Sequence, residues 1–160
     1  MKEIIEILEK DARTSPEEIS KMIGKSTSWV KRKIKELEKK GIILKYRAVI
    51  NKELLKKDEI VEALIEVNVS PQKDVGFDRV AQRIYEFPEV KSCYLVSGTY
   101  DLLLVVEGST IHTIADFVAE KLAPLPEVRG TTTHFLLKRY KEEGIILKRP
   151  KKEKRLAISF

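Results

Sequence analysis

The chain has 160 residues, 42% hydrophobic and 35% charged, with a net charge of +6. That length suits one ordinary domain or two small ones, and the apolar share is enough for a packed core, which excludes a disordered tail. No apolar run reaches the roughly 18 residues that span a bilayer, and the N-terminus MKEIIEILEK is too charged for a signal peptide, so a soluble, cytoplasmic protein with no membrane partner is expected.

The charge is segregated along the chain. Residues 1–57 carry 16 basic against 9 acidic side chains, residues 58–143 carry 9 against 15, and residues 144–160 carry 6 against 1. A basic head is a candidate polyanion binder, and an acidic middle is not. The single cysteine, Cys93, excludes an internal disulfide framework, and its neighbours in KSCYLV fit a buried structural thiol. Abundant Lys, Glu and Ile beside scarce Asn, Gln, Cys and Met lean toward a thermophilic source.

In chain order, residues 2–12 place Ile4, Ile5, Leu8 and Ala12 at helical spacing. Ser15, Pro16 and Glu18 then form a capping-box signal for a second helix, with Ile19, Met22 and Ile23 as its expected buried face and Gly24 at its end. Ser26 caps a third, TSWVKRKIKELEKK, with Val30, Ile34 and Leu37 as the apolar stripe and Gly41 as the stop. Trp29 reads as a packing residue. Two helices joined by a short glycine turn, the second opening with hydroxyl and basic residues, are a helix-turn-helix arrangement. Ser26, Thr27, Ser28, Lys31, Arg32 and Lys35 are the candidates for double-stranded DNA, because hydroxyls and a helix N-terminus meet phosphates while lysine and arginine release counterions. The alternative is a solvated helix face.

The pentapeptide GIILK follows at 41–45 and recurs at 144–148. The first copy continues as IILKYRAVIN, a strand-like hinge. Residues 60–69 read as a strand, 75–87 as a helix ended before Pro88, 90–98 as a strand, 98–101 as a turn and 102–108 as a strand. A helix ended by Pro124 and Pro126 and a last strand in TTTHFLLKRY complete the order β-α-β-β-α-β, a ferredoxin-like antiparallel sheet with two helices on one face. Pro-Glu-Val occurs at 88–90 and again at 126–128, each time between a helix and the next strand, and marks equivalent corners of a duplicated half. The expected division is therefore a DNA-binding domain at 1–41, a hinge at 42–57, a ferredoxin-like effector and oligomerisation domain at 58–143 and a basic tail at 144–160. One expectation is that 144–149 add a strand against 42–50; the alternative is coincidence of composition followed by a flexible tail.

This α+β arrangement, a winged-type helix-turn-helix joined to a ferredoxin-like sheet, resembles the Lrp/AsnC family of feast/famine transcription regulators. The matching residues are Leu8, Asp11 and Arg13; Ile19, Gly24, Ser26, Val30, Ile34, Leu37, Glu38, Gly41 and Ile42; Pro88 to Val90; Gly98 and Asp101; and Val128, Thr131 and Thr133. The resemblance implies a sequence-specific DNA-binding regulator, paired through its sheet domain into a homodimer or higher homo-oligomer, that senses an amino acid or related metabolite at a subunit interface. It also implies that the hinge contributes to contacts between paired heads. Carried over, the effector residues are Gly98, Thr99, Tyr100 and Asp101 with Thr131 and Thr133. A carboxylate such as Asp101 suits an effector ammonium; alternatively Gly98 and Asp101 only shape a turn. The chain departs from the family pattern at Ser20, Lys25, Lys33 and Thr99.

Two other functions compete. Siroheme decarboxylases resemble this family in both halves, and His112 and His134 would be the candidate catalytic groups; a scaffold oligomer without DNA specificity is the third reading. No C-x-x-C-type ligand spacing and no glycine-rich phosphate loop is present, so neither a metal nor a cofactor is expected.

Overall fold

Apolar residues at helical spacing fold the first forty residues into α1 (Lys2–Lys10), α2 (Pro16–Ile23) and α3 (Thr27–Lys39). The computed structural model describes residues 1–52, 60–70 and 76–147. The chain divides into two compact units, the first ending at Lys52 and the second beginning at Glu53.

In the first unit Ile4, Ile19, Val30 and Leu37 are fully buried, so each helix contributes to one small core, flanked by Ile5, Ile7, Leu8, Ile23, Trp29, Ile34 and Ile43. The capping box forms as expected: Ser15 Oγ accepts from Glu18 N at 3.2 Å, and Ser15 N donates to Glu18 Oε2 at 2.8 Å. Two expectations fail locally. Ala12 lies outside α1, because Asp11 turns extended and its carboxylate accepts from Arg13 N at 2.9 Å, a side-chain bond that competes with the helix. Met22 is 65% exposed. The buried face of α2 is rotated toward Ser20, whose hydroxyl donates to Glu17 O at 2.8 Å and is thereby satisfied inside.

Gly41 closes α3 with a positive φ of 67°. Ile42 N then reaches Leu37 O at 2.9 Å and Gly41 N reaches Glu38 O at 3.0 Å, the two reversed bonds that satisfy the last carbonyls. Tyr46 Oη donates to Glu38 Oε1 at 3.0 Å, holding the start of the hinge beside the helix. The expected hinge strand has no ladder among the described residues. A strand persists only where a neighbour completes its hydrogen bonds, and residues 42–50 show no such ladder among the described residues.

The second unit is a four-stranded antiparallel sheet of β1 (Val61–Val69), β2 (Val90–Leu95), β3 (Leu102–Gly108) and β4 (Val128–Phe135), in the order β2-β3-β1-β4. Alternate residues Ala63, Ile65, Val67 and Val69 of β1 and Leu102, Leu104 and Val106 of β3 are fully buried. They pack under α4 (Asp78–Tyr85) and under α5 (Ile111–Asp116), which continues as a π-helical turn through Leu122. The opposite residues of β1 and β3 are only half-buried, as suits an antiparallel sheet covered on one face. Cys93 is half-buried on the covered face, where burial raises its thiol pKa. The last strand opens at Val128, as its Pro-Glu-Val corner implies, but stops at Phe135, short of the expected Tyr140; the bond that follows it is Leu136 N to Glu62 O, at the start of β1.

The two Pro-Glu-Val corners are equivalent bond for bond. Phe87 N and Leu125 N each return to the helix at Ile84 O and Leu122 O, both at 3.2 Å. Val90 N and Val128 N each close the corner on Phe87 O and Leu125 O, at 3.0 and 2.9 Å. Their glutamates are exchanged. Glu127 is buried and takes Arg83 of α4 at 3.0 Å, whereas Glu89 takes Lys121 from the end of the other helix. Both cations stand six residues before the glutamate of their own corner, yet each binds the other one.

The described part of the second GIILK pairs locally, within the second unit. Ile145–Ile146 (β6) pairs with Lys141–Glu142 (β5) in a hairpin whose two loop residues, Glu143 and Gly144, have φ of 46° and 81°. Two consecutive positive φ angles make the tight turn that matches strand twist, so this segment's partner is the chain just before it. Residues 148–160, most of the expected basic tail, lie outside the described residues, as does 53–57 of the expected hinge.

Candidate nucleic-acid interface and effector turn

On α3 the burial pattern separates two stripes. Val30, Ile34 and Leu37 face the core, and at 100° per residue Ser28, Lys31, Arg32, Lys35 and Lys39 lie on the opposite side, where all five are exposed. Lys39 extends the expected basic set by one turn, and its signal was its position four residues after Lys35.

The six expected DNA residues are not alike. Ser26 Oγ accepts from Trp29 N at 3.3 Å and so caps the helix that carries the others. Thr27 is half-buried, its hydroxyl donating to Ser20 Oγ at 3.2 Å, which ties α3 to α2. Ser28, Arg32 and Lys35 point outward, and Arg32 and Lys35 have no ion-pair partner among the described residues. Lys31 Nζ lies 2.7 Å from Glu17 Oε1, and this hydrogen bond is the first cause of a lowered Glu17 pKa. Lys33 and Lys40 sit off the stripe, where both engage Glu36 at 2.6 and 2.8 Å and pull its pKa down to about 2. Trp29 packs half-buried against the head core, its ring centroid 6.0 Å from Lys33 Nζ.

The expected effector turn connects β2 to β3. Gly98 and Thr99 are exposed, and Tyr100 and Asp101 are half-buried. Asp101 is engaged locally through both its side chain and its backbone. Its Oδ2 accepts from Val69 N at 2.8 Å, and its own N donates to Val67 O at 3.1 Å. The β1–β3 ladder ends at Val67 and Leu102, so the Asp101 side chain supplies one more rung where the backbone ladder stops. Gly98 has open space around its Cα and no positive φ. Thr131 and Thr133 lie opposite Val67 and Ile65 on β4, which places them on the far side of β1 from the turn, about 10 Å away across two strand spacings. All six residues border the same sheet, with β1 standing between the turn and the two threonines.

His134 stands on the open face of the sheet, 3.1 Å from Glu66 Oε1, while His112 is exposed on α5 over the covered face. The two histidines are therefore on opposite sides of the sheet and do not converge. Arg139 pairs with Glu62 on the same open face, which raises the arginine pKa. Among the described residues no helix is long and apolar enough to cross a membrane.

Residues 1–43 match a family described as winged helix-turn-helix DNA-binding, and residues 62–146 match the Lrp/AsnC ligand binding domain. YugG, an HTH-type transcriptional regulator of Bacillus subtilis (strain 168), is 45% identical over 157 residues, which cover 98% of this chain and 95% of YugG. The proline dehydrogenase transcriptional activator of Rhizobium radiobacter is 33% identical over 142 residues, 89% of this chain and 90% of the relative. Among solved structures, a transcriptional regulator of Neisseria meningitidis in complex with L-Met is 28% identical, with a TM-score of 0.68 over 88% of this chain and 89% of that one. Both halves of the chain, in this order and over nearly its whole length, place it in the Lrp/AsnC family of helix-turn-helix DNA-binding transcriptional regulators.

Proposed function

We propose that the chain is a sequence-specific regulator that reads operator DNA with the N-terminal part of α3. Ser28, Lys31, Arg32 and Lys35 make the direct contacts, Ser26 and Thr27 fix the helix that presents them, and Lys39 extends the phosphate footprint. The observation that carries this reading is the exposed basic stripe set opposite the buried apolar stripe of the same helix. Lys31, Arg32, Lys35 and Lys39 are cations along one face, the arrangement that releases counterions from a duplex.

The regulator works as a homodimer or higher homo-oligomer through the open sheet face, where half-buried Leu64, Leu103 and Val105 are flanked by the Glu62–Arg139 and Glu66–His134 pairs. It answers to an amino acid or related small metabolite at the turn Gly98, Thr99, Tyr100 and Asp101, with Thr131 and Thr133 on the edge strand β4 beyond β1. Support comes from the ligand-binding description of the matched domain and from the L-Met held by the Neisseria relative. Because the turn and the two threonines lie on either side of β1, the effector bridges them or meets one set from each of two subunits. The reaction class is binding, with no chemical step.

Selection from a random duplex library, with and without a mixture of amino acids, tests the whole reading. Enrichment of a near-palindromic site that shifts with the mixture is expected. Enrichment of nothing, or retention unchanged by Lys31→Ala with Arg32→Ala, refutes it.

A further inference from the structure

The seam between α2 and α3 is polar and starts at one residue. Glu17 O accepts from Ser20 Oγ at 2.8 Å, Ser20 Oγ accepts from Thr27 Oγ1 at 3.2 Å, and Glu17 Oε1 holds Lys31 Nζ at 2.7 Å. The neighbouring Glu18 is occupied otherwise, closing the capping box on Ser15. Lys31 sits on the edge of the basic stripe nearest α2, and Arg32 and Lys35 beside it have no acidic partner among the described residues. One cation of the stripe is thus held by a carboxylate that lies beside the surface facing DNA. Both side chains are just over half exposed, so the pair is accessible to solvent and to a competing anion.

We propose that Glu17 is an affinity-setting residue of the DNA-binding head: it competes with DNA phosphate for Lys31 and keeps operator affinity below what the basic stripe alone would give. The inference rests on the assignment of Lys31 to the DNA interface. A phosphate approaching Lys31 meets the Glu17 carboxylate within a few ångströms, so the ammonium is shared and the repulsion between the two anions is felt on binding. Glu17 also has a local role, since an acidic residue in the first turn of α2 suits the helix dipole. That role acts on the stability of α2 and has no effect of its own on the salt dependence of DNA binding. The two roles are therefore separable by measurement.

The test uses the full chain, a mixed-sequence duplex of about 30 base pairs, long enough for two half-sites a helical turn apart, and a salt titration. Four proteins are compared: wild type, Glu17→Gln, Lys31→Ala and the double variant, each checked for an intact head by its thermal transition. Glu17→Gln is expected to tighten binding about two- to fivefold per head, the range set by an exposed ion pair. It should also steepen the slope of log affinity against log salt by up to about 0.9 per head, one more phosphate neutralised. Adding Lys31→Ala should erase both gains. If Lys31→Ala weakens binding but Glu17→Gln leaves affinity and slope unchanged, or weakens them, the competition is refuted while the interface stands. If Lys31→Ala changes nothing in either background, the placement of Lys31 on DNA falls, and this inference with it.

Discussion

Replacing Asp101 with alanine separates its structural role from its expected effector role. Its Oδ2 is the acceptor for Val69 N at 2.8 Å, and Val69 is fully buried at the end of β1, where the pairing with β4 shifts register between Asn68 and Val69. The β3 ladder has already ended at Leu102, so no backbone carbonyl of that strand replaces the carboxylate. Asp101→Ala leaves this donor unsatisfied, at about 1–3 kcal/mol. At about 4–8 °C per kcal/mol for a domain of about 100 residues, a loss near 2 kcal/mol lowers the melting of the sheet domain by roughly 8–16 °C. Asp101→Asn keeps an oxygen for Val69 N and forfeits only the charge, so it should lie within about 1 kcal/mol of wild type. Scanning calorimetry of the full chain measures both. If Asp101→Ala melts within about 2 °C of wild type, or if Asp101→Asn falls as far as the alanine variant, the side-chain rung does not hold the turn. The asparagine variant also isolates ligand binding, since it should fold normally and lose any response that needs a negative charge for an effector ammonium.

Other expectations are independent of this one. A Cβ at Gly108 would stand 2.9 Å from Ile114 Cγ1 and 3.3 Å from Thr113 Cβ, so Gly108→Ala should destabilise the sheet domain by about 1–3 kcal/mol in urea unfolding, through crowding of a buried neighbour. Ser15→Ala removes the acceptor for Glu18 N and should lower head stability by about 1 kcal/mol, read from the helical signal on melting. Glu36 has a folded pKa of about 2 against an ordinary 4.5, because Lys33 and Lys40 both donate to it. Its contribution is thus fully present above the unfolded value and lost as pH falls from about 4.5 toward 2, and Glu36→Gln should flatten that part of an acid-melting profile. Glu143 has a φ of 46°, which favours asparagine or glycine, so Glu143→Asn should raise stability by about 1 kcal/mol; a loss would refute the turn assignment.

Much of the head was legible because its determinants are local. Ser15 with Glu18, Ser26 and Gly41 act within a few residues of one another, and each holds the backbone bonds expected of it. Met22 was misplaced because hydrophobicity alone does not reveal that Ser20 satisfies its hydroxyl on Glu17 O and so takes the buried position. The sheet domain was legible through alternation in β1 and β3 and through the repeated corner. Its specific side-chain bonds were not. Asp101 meets Val69 across 32 residues and Arg83 meets Glu127 across 44, contacts that exist only once the strand order is set. The hinge is the opposite case: residues 42–50 have strand composition but no ladder among the described residues, because propensity alone does not make a strand. In the basic stripe, residue type identified the cations, while their state was set by the fold, which gave Lys31 to Glu17 and left Arg32 and Lys35 without an ion pair among the described residues.

The exchanged glutamates of the two corners decide how the sheet domain can be divided. A duplicated half with its own Arg83–Glu89 or Lys121–Glu127 pair would close its corner by itself and could be cut away whole. Instead each half supplies the counter-charge for its sibling, so a fragment ending in the turn at 97–100 would retain Arg83 without Glu127, and its complement would bury Glu127 without that guanidinium. The two fragments should be poorly folded apart and regain structure when mixed, with affinity that falls when Arg83 is replaced. The two halves are interlocked: β1 of the first pairs with β3 and β4 of the second, and the boundary between them is a seam through the core.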